Sequence, residues 1–318
     1  MSSITGRTHA DTPIRIGTSS CLLGQPVRYN GEHKRDAYIT GTLAAFFELV
    51  PVCPEMAIGL GVPRDPIRLT GDLVRPRAVG VHDPARDVTA VLEDYGRCVA
   101  RELAGLSGYI LKNRSPSCGL QGVPVFRDDG QVAGAAAGVY ARALTAALPL
   151  LPVEEETRLA DPAARRNFIE RVFAYRRWQA LLTSGLTAAR LAEFHAVHAL
   201  TLMAHGARHC RRLSRLLARP EGSPDGLARD YGATFMQALK DPATRRRHTG
   251  VLLYALRRLK LSSAERDELR RSIAAYQAGR VSLREPVALL CRHAGNRADE
   301  FLVKQVYLHP HELMLRGE

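Results

Sequence analysis

Ile14-Arg15-Ile16-Gly17-Thr18-Ser19-Ser20-Cys21-Leu22-Leu23-Gly24 reads as a strand running into a glycine-ended turn that carries a thiol. The apolar run predicts a strand over about 14–19, with a loop at Cys21. The same pattern returns twice. Leu49-Val50-Pro51-Val52 ends at Cys53-Pro54-Glu55, and Gly108-Tyr109-Ile110-Leu111 leads into Ser115-Pro116-Ser117-Cys118-Gly119. Helical segments are expected between them, a short one over 38–48 and a longer one over 88–104 capped by Asp87. On the longer one Val88, Val91, Leu92, Tyr95, Cys98, Val99 and Leu103 keep helical spacing, so Cys98 reads as packing. The Pro- and Arg-rich stretch 62–77 reads as a long ordered loop. Asp129-Gly130 marks a hairpin, and a helix over 136–148 closes the region. Strands alternating with helices predict an α/β domain with a mostly parallel, Rossmann-like sheet.

In such a sheet the carboxyl ends of the strands share one edge, where ligands bind. Cys21, Cys53 and Cys118 all follow strands and so reach that edge together. Three thiols at one edge can hold one metal centre with an open position, and an open position marks catalysis. Position alone leaves a second reading standing, three partly buried free thiols.

From residue 165 the pattern changes to helical periodicity, broken at Gly185, Pro220–Pro224, Pro242, Gly279 and Pro286. This predicts an all-α second domain. The boundary falls near Pro152–Pro162, giving domains over 12–160 and 161–318 after a disordered lead. Charge divides at the same place. Residues 1–160 carry 17 Lys and Arg against 17 Asp and Glu, whereas residues 161–318 carry 28 against 15. The whole net charge of +13 therefore sits in the helical half, as in a polyanion-binding module attached to a neutral one.

A helix expected over about 190–218 brings His195, His198, His205 and His209 to one face by its 100° step. Leu191, Leu202, Leu213 and Leu216 share that face, so a helix–helix seam is favoured over a metal site. Arg208, Arg211, Arg212 and Arg215 group on another face. Arg245-Arg246-Arg247 and Arg257-Arg258 with Lys260 form two further basic clusters. Three such clusters in one basic domain point to RNA. Aromatic residues are sparse there, which favours recognition by shape and phosphate contacts over base stacking.

Several linked motifs carry a family resemblance. Cys21-Leu22-Leu23-Gly24, Val27-Arg28-Tyr29-Asn30-Gly31, His33-Lys34-Arg35, Val52-Cys53-Pro54-Glu55, Gly61-Val62-Pro63-Arg64 and Ser115-Pro116-Ser117-Cys118-Gly119 resemble, in order, the thiouracil desulfidase family. From Phe168-Ile169-Glu170-Arg171-Val172-Phe173 to Tyr307-Leu308-His309-Pro310-His311-Glu312-Leu313 the chain resembles, more loosely, a YbgA-like domain of unknown function often fused to it. In that domain's Phe-His, His-Lys, Ala-His pattern the lysine is replaced by Ala199, so no role of that lysine carries over. The resemblance implies that Cys21, Cys53 and Cys118 bind a [4Fe-4S] cluster with one iron not bound by protein. It also implies a non-redox exchange of C=S for C=O. Glu55, two residues from Cys53, is the candidate general acid/base, against helix capping. Ser115 would position water or the ring, and Ser117 would orient the site; ordinary turn chemistry is the alternative for both. Arg28 and His33-Lys34-Arg35 could meet phosphate or a carbonyl oxygen, or be solvated surface. Arg64 would orient its loop.

No P-loop, Gly-x-Gly-x-x-Gly or His-Glu-x-x-His competes with this reading. No apolar run is long enough to span a membrane and no signal core opens the chain, so a cytoplasmic protein with reduced or metal-bound cysteines is expected. The expected function is cluster-dependent desulfuration of 4-thiouridine in tRNA, the tRNA being held by the basic domain. Two alternatives remain: desulfuration of a free thiopyrimidine base, and a non-catalytic redox-sensing nucleic-acid-binding regulator.

Overall fold

The computed structural model describes residues 13–218, 223–296, 299–311 and 313. The lead expected over residues 1–12 lies outside them. The chain divides into two compact units, residues 1–161 and 162–318.

The first unit is α/β and holds two four-stranded sheets. The first sheet is parallel throughout. Its strands are β1 (Arg15–Ser19), β2 (Glu48–Val52), β5 (Gly108–Leu111) and β8 (Val153–Glu155), in the order β2-β1-β5-β8. Every residue of β5 is buried, as a strand covered on both faces requires. Chain order reverses beside β1, because β2 lies on one side of it and β5 on the other. That is the switch point at which a crevice opens beyond the carboxyl ends.

Of the second sheet only the hairpin at Asp129-Gly130, which joins β6 (Val123–Phe126) to β7 (Val132–Ala136), was legible in the sequence. The sheet orders β4 (Arg77–Gly80), β3 (Ile67–Thr70), β6 and β7, with β3 and β6 parallel and both outer pairs antiparallel. The expected loop over 62–77 is thereby corrected, since it contains β3 and the start of β4. Ile67 and Leu69 face inward and Arg68 and Thr70 outward, a period of two that the flanking prolines obscured. The short helix expected over 38–48 is a π turn at Tyr38–Thr42 and a 3-10 turn at Leu43–Ala45, after which β2 begins.

Three helices complete the unit: α1 (Pro54–Ala57), α2 (Thr89–Glu102) and α3 (Val139–Ala147). The cap of α2 is Val88, and Asp87 instead accepts from the Thr89 amide at 2.9 Å, just inside the helix. Cys98 is half-buried, and its thiol donates to Glu102 at 3.2 Å.

The described residues of the second unit are helical: α4 (Pro162–Thr183), α5 (Ala188–Val197), α6 (Ala199–His205), α7 (Ala207–Ala218), α8 (Pro224–Lys240), α9 (Arg245–Arg258), α10 (Ser263–Gln277), α11 (Arg284–Asn296) and α12 (Glu300–Val303). Side-chain caps start several of them. Thr187, Ser223 and Thr244 each accept from an amide three residues on, and Ser262 with Glu265 forms a capping box. The single helix expected over 190–218 is three helices, interrupted at His198 and at Gly206, whose φ of 137° lies outside the helical region. The single histidine face expected across that span therefore does not hold, whereas the four arginines all lie on α7. His195 bonds Tyr231 at 3.1 Å, His198 bonds the Phe194 carbonyl at 2.7 Å, and His205 bonds Glu170 at 3.0 Å. His209 is half-buried on α7.

Buried histidines couple this unit's stability to pH. Desolvation pushes both His198 and His248 down to about 4. Their unfolded value is about 6.5, so their contribution is complete above that value and is lost as pH falls from about 6.5 towards 4. His205 is raised, with Glu170 outweighing its burial, and contributes in the opposite sense. Burial lowers His195 as well, and three groups against one leave acid destabilising. The urea midpoint followed at Trp178, the only tryptophan and buried within this unit, is expected to fall between pH 7 and pH 5. The change corresponds to about 1–2 kcal/mol for each of His198 and His248.

Candidate active site

Each sulfur-bearing loop begins where a strand of the parallel sheet stops. Ser20–Leu23 forms a 3-10 turn directly after β1, closed by Gly24 in the left-handed region. Cys53 follows β2 and precedes the short helix α1, whose Pro54 occupies the first turn. The Cys118 loop follows β5 and folds back on the start of α3. There the amides of Gly138, Val139 and Ala141 donate to the carbonyls of Gly119, Pro116 and Ser117 at 2.7, 3.0 and 3.0 Å. Only glycine fits at 138, because a Cβ there would stand 2.5 Å from the Ser117 carbonyl oxygen.

One cavity of about 670 Å³ is lined by all three cysteines and by Arg28, Glu55, Arg64, Lys112, Ser115 and Ser117. Cys21 and Cys118 are buried and Cys53 is half-buried. Burial pushes the Cys21 thiol up to about 11, with the neighbouring Cys53 adding to it. Burial likewise raises Cys53, and Cys118 further still, the latter assisted by Glu55 and by the other two cysteines. Cys98 belongs to α2, and Cys210 and Cys291 belong to the second unit.

Glu55 sits in a fixed cradle. Its Oε2 accepts from Arg64 Nε at 2.9 Å and Nη2 at 2.7 Å. Arg64 also donates to the carbonyls of Gly61 at 2.7 Å and Val27 at 2.9 Å, and its side chain is 4% exposed. This residue, expected to orient its loop, also orients the carboxylate. The other oxygen, Glu55 Oε1, accepts from Ser117 Oγ at 2.6 Å. Ser115 Oγ lies 2.9 Å from Ser117 Oγ and accepts from the Cys118 amide at 3.1 Å. Because Ser117 gives its proton to the carboxylate, Ser115 donates to Ser117. A directed chain of hydroxyls thus runs from Ser115 to Glu55 Oε1.

Arg28 pairs with Glu32 at 3.2 Å and lines the cavity, as does Lys34, whereas His33 and Arg35 are exposed outside its lining. Sequence reasoning missed the acidic end of β8. Glu156 accepts from Lys112 and, at 2.7 Å, from the Asn113 amide; Glu155 accepts from the Leu120 amide at 2.8 Å. These carboxylates tie down both ends of the Cys118 loop. Their position directly after the apolar residues Leu151 and Val153 was the available signal.

Two family models match the chain on either side of the division between its units. The family model described as 2-thiouracil desulfurase matches residues 16–156, and that of a protein of unknown function (DUF1722) matches residues 200–312. The uncharacterized protein YbbK of Bacillus subtilis (strain 168) is 37% identical over 113 residues, covering 33% of this chain and 72% of that protein. A solved structure described as the [4Fe-4S]-dependent thiouracil desulfidase TudS is 31% identical, covers 46% of this chain and 93% of its own, and has a TM-score of 0.36. The chain belongs to the 2-thiouracil desulfurase family, with a second domain fused behind the desulfurase domain. Its enzyme class is desulfidase.

The donor set can be tested against an iron–sulfur cluster. Among the described residues no three His, Cys, Asp or Glu side chains are grouped to hold a single metal ion. Yet three soft thiols from three separate loops line one cavity, and Cys53 raises the pKa of both other thiols. A polynuclear cluster takes thiolate ligands and spans a wider set of donors than one ion does. The residues fit such a group.

Proposed function

We propose that the chain hydrolytically desulfurates thiouridine in tRNA, most specifically 4-thiouridine, at a [4Fe-4S] cluster held by Cys21, Cys53 and Cys118. The observation that carries the reading is the cavity that joins three thiols to a carboxylate cradled by Arg64 and Ser117. Bound by three protein thiolates, the cluster would supply a soft Lewis-acid iron that polarises the thiocarbonyl. Glu55 Oε1 takes the proton of the attacking water, while Arg64 keeps Oε2 engaged and the carboxylate in position. Ser115 and Ser117 carry a proton between Glu55 Oε1 and the pyrimidine ring edge. The net change exchanges C=S and H₂O for C=O and H₂S, with no electron gained or lost.

The charge of the helical half supports the choice of tRNA. Arg208, Arg211, Arg212 and Arg215 are exposed on α7, and among the described residues no carboxylate pairs with them. The α9 arginines are partly committed. Arg245 donates to the Tyr276 carbonyl at 2.7 Å, Arg247 to the His205 carbonyl at 3.1 Å, and Arg258 lies 3.9 Å from Asp299. Arg246 and Arg257 remain candidate phosphate contacts with the α7 set. Reversing the four α7 arginines to Glu is expected to weaken tRNA binding and flatten its salt dependence by roughly 0.7–0.9 log units for each phosphate no longer neutralised. Turnover of a free thiobase should be unchanged in the same variant.

Anaerobically reconstituted protein incubated with total tRNA tests the reading by mass spectrometry of the nucleosides. Loss of 4-thiouridine with stoichiometric sulfide is the expected result. Untouched tRNA beside active turnover of thiouracil would make the free base the substrate. A spectral change with no sulfide from either would favour the regulator.

A further inference from the structure

The helical unit encloses a cavity of about 70 Å³ that the cysteine site does not use. Phe173, Ala174, Val287 and Tyr307 give it apolar walls, and a few polar groups converge on it, the usual make-up of a ligand site. His198 is 1% exposed, with Nδ1 2.7 Å from the Phe194 carbonyl oxygen. A carbonyl only accepts, so Nδ1 carries the ring proton. Burial holds the ring neutral, which leaves Nε2 with a lone pair and no proton. That atom is buried and has no hydrogen-bond partner. Leaving such an acceptor unmet costs about 1–3 kcal/mol.

Arg177 lines the same cavity, where Glu170 is the carboxylate that acts on it. The lining carboxylate, Glu170, is engaged by His205, which donates to it through Nε2 at 3.0 Å and to the Asp241 carbonyl through Nδ1 at 2.6 Å. Among the described residues, Arg177 thus sets a guanidinium in the same lining as a buried lone pair. A matching ligand is anionic, accepts hydrogen bonds and also donates one. A space of about 70 Å³ admits a compact tetrahedral oxyanion.

We propose that this cavity binds a hydrogen phosphate group, whose P–OH donates to His198 Nε2 and whose charged oxygens accept from Arg177. Sulfate has the same shape but carries no proton near neutral pH. It would set an oxygen lone pair against the Nε2 lone pair. A site built to meet a hydroxyl strongly rejects the analogue lacking it. Discrimination between the two anions is thus the signature of this site and is separate from the desulfurating reaction.

The test titrates the full chain with inorganic phosphate by calorimetry and follows the ¹⁵N resonance of His198 Nε2. Saturable heat and a shift of that resonance are expected, with sulfate binding at least about tenfold more weakly. Arg177→Met, at a half-exposed position, should lose phosphate binding and keep the thermal midpoint measured without phosphate. Uridine 5′-monophosphate identifies the source. Binding as tight as inorganic phosphate assigns the site to a nucleotide's terminal phosphate, and much weaker binding assigns it to free phosphate; both outcomes support the proposal. No heat with either, or sulfate bound as well as phosphate, overturns it.

Discussion

Glu55→Gln is expected to lower turnover about 10²–10⁴-fold while iron loading stays intact, the loss typical of a removed general acid or base. Glutamine keeps the length of the side chain and one carbonyl oxygen, but it cannot take up a proton at neutral pH. In the native site the two carboxylate oxygens have separate tasks, one fixed by Arg64 and the other receiving the Ser117 hydroxyl. The amide can satisfy only one of those donors as an acceptor. If its oxygen meets Arg64, its NH₂ meets Ser117 and the hydroxyl chain back to Ser115 must turn round.

The substitution also leaves the Arg64 guanidinium without a charged partner, although the Gly61 and Val27 carbonyls and the Met56 sulfur still accept from it. Stability should therefore fall by about 1–3 kcal/mol. A thermal midpoint and an iron assay on the same sample separate that effect from the kinetic one. Full activity in a folded, loaded Glu55→Gln enzyme would move the proton transfer to another group.

The part of this site legible in the sequence was the part that repeats. Three strand-to-thiol junctions placed Cys21, Cys53 and Cys118 at the carboxyl edge of a parallel sheet, since strand direction alone decides which end a following loop occupies. Glu55 was legible for its proximity to Cys53. The Arg64–Glu55 pair spans nine residues through a non-repetitive turn, and no local pattern specifies where such a side chain ends. The Glu155 and Glu156 anchors were missed because their partners lie 35 and 43 residues away. In the second sheet the β6–β7 hairpin was legible from Asp129-Gly130, whereas β3 and β4 were hidden as four-residue strands set among prolines, too short for a period of two to stand out. In the helical unit, periodicity gave helices correctly but ran α5, α6 and α7 together. A break at His198 with no proline or glycine beside it leaves almost no trace in sequence.

The central claim is that these three cysteines, and not the other three, hold the cofactor. It is tested most directly by counting iron and acid-labile sulfide in six single Cys→Ser variants after identical anaerobic reconstitution. Cys21, Cys53 and Cys118 line one cavity, whereas Cys98 bonds Glu102 on α2 and Cys210 and Cys291 belong to the second unit. A cluster held by three thiolates has no spare protein ligand, so loss of any one should leave loading near zero and abolish desulfuration. The account predicts about four irons per chain in the native protein and in Cys98→Ser, Cys210→Ser and Cys291→Ser, and almost none in Cys21→Ser, Cys53→Ser and Cys118→Ser. Full loading in a folded variant of any of the latter three, or loss of iron in one of the former, would contradict it.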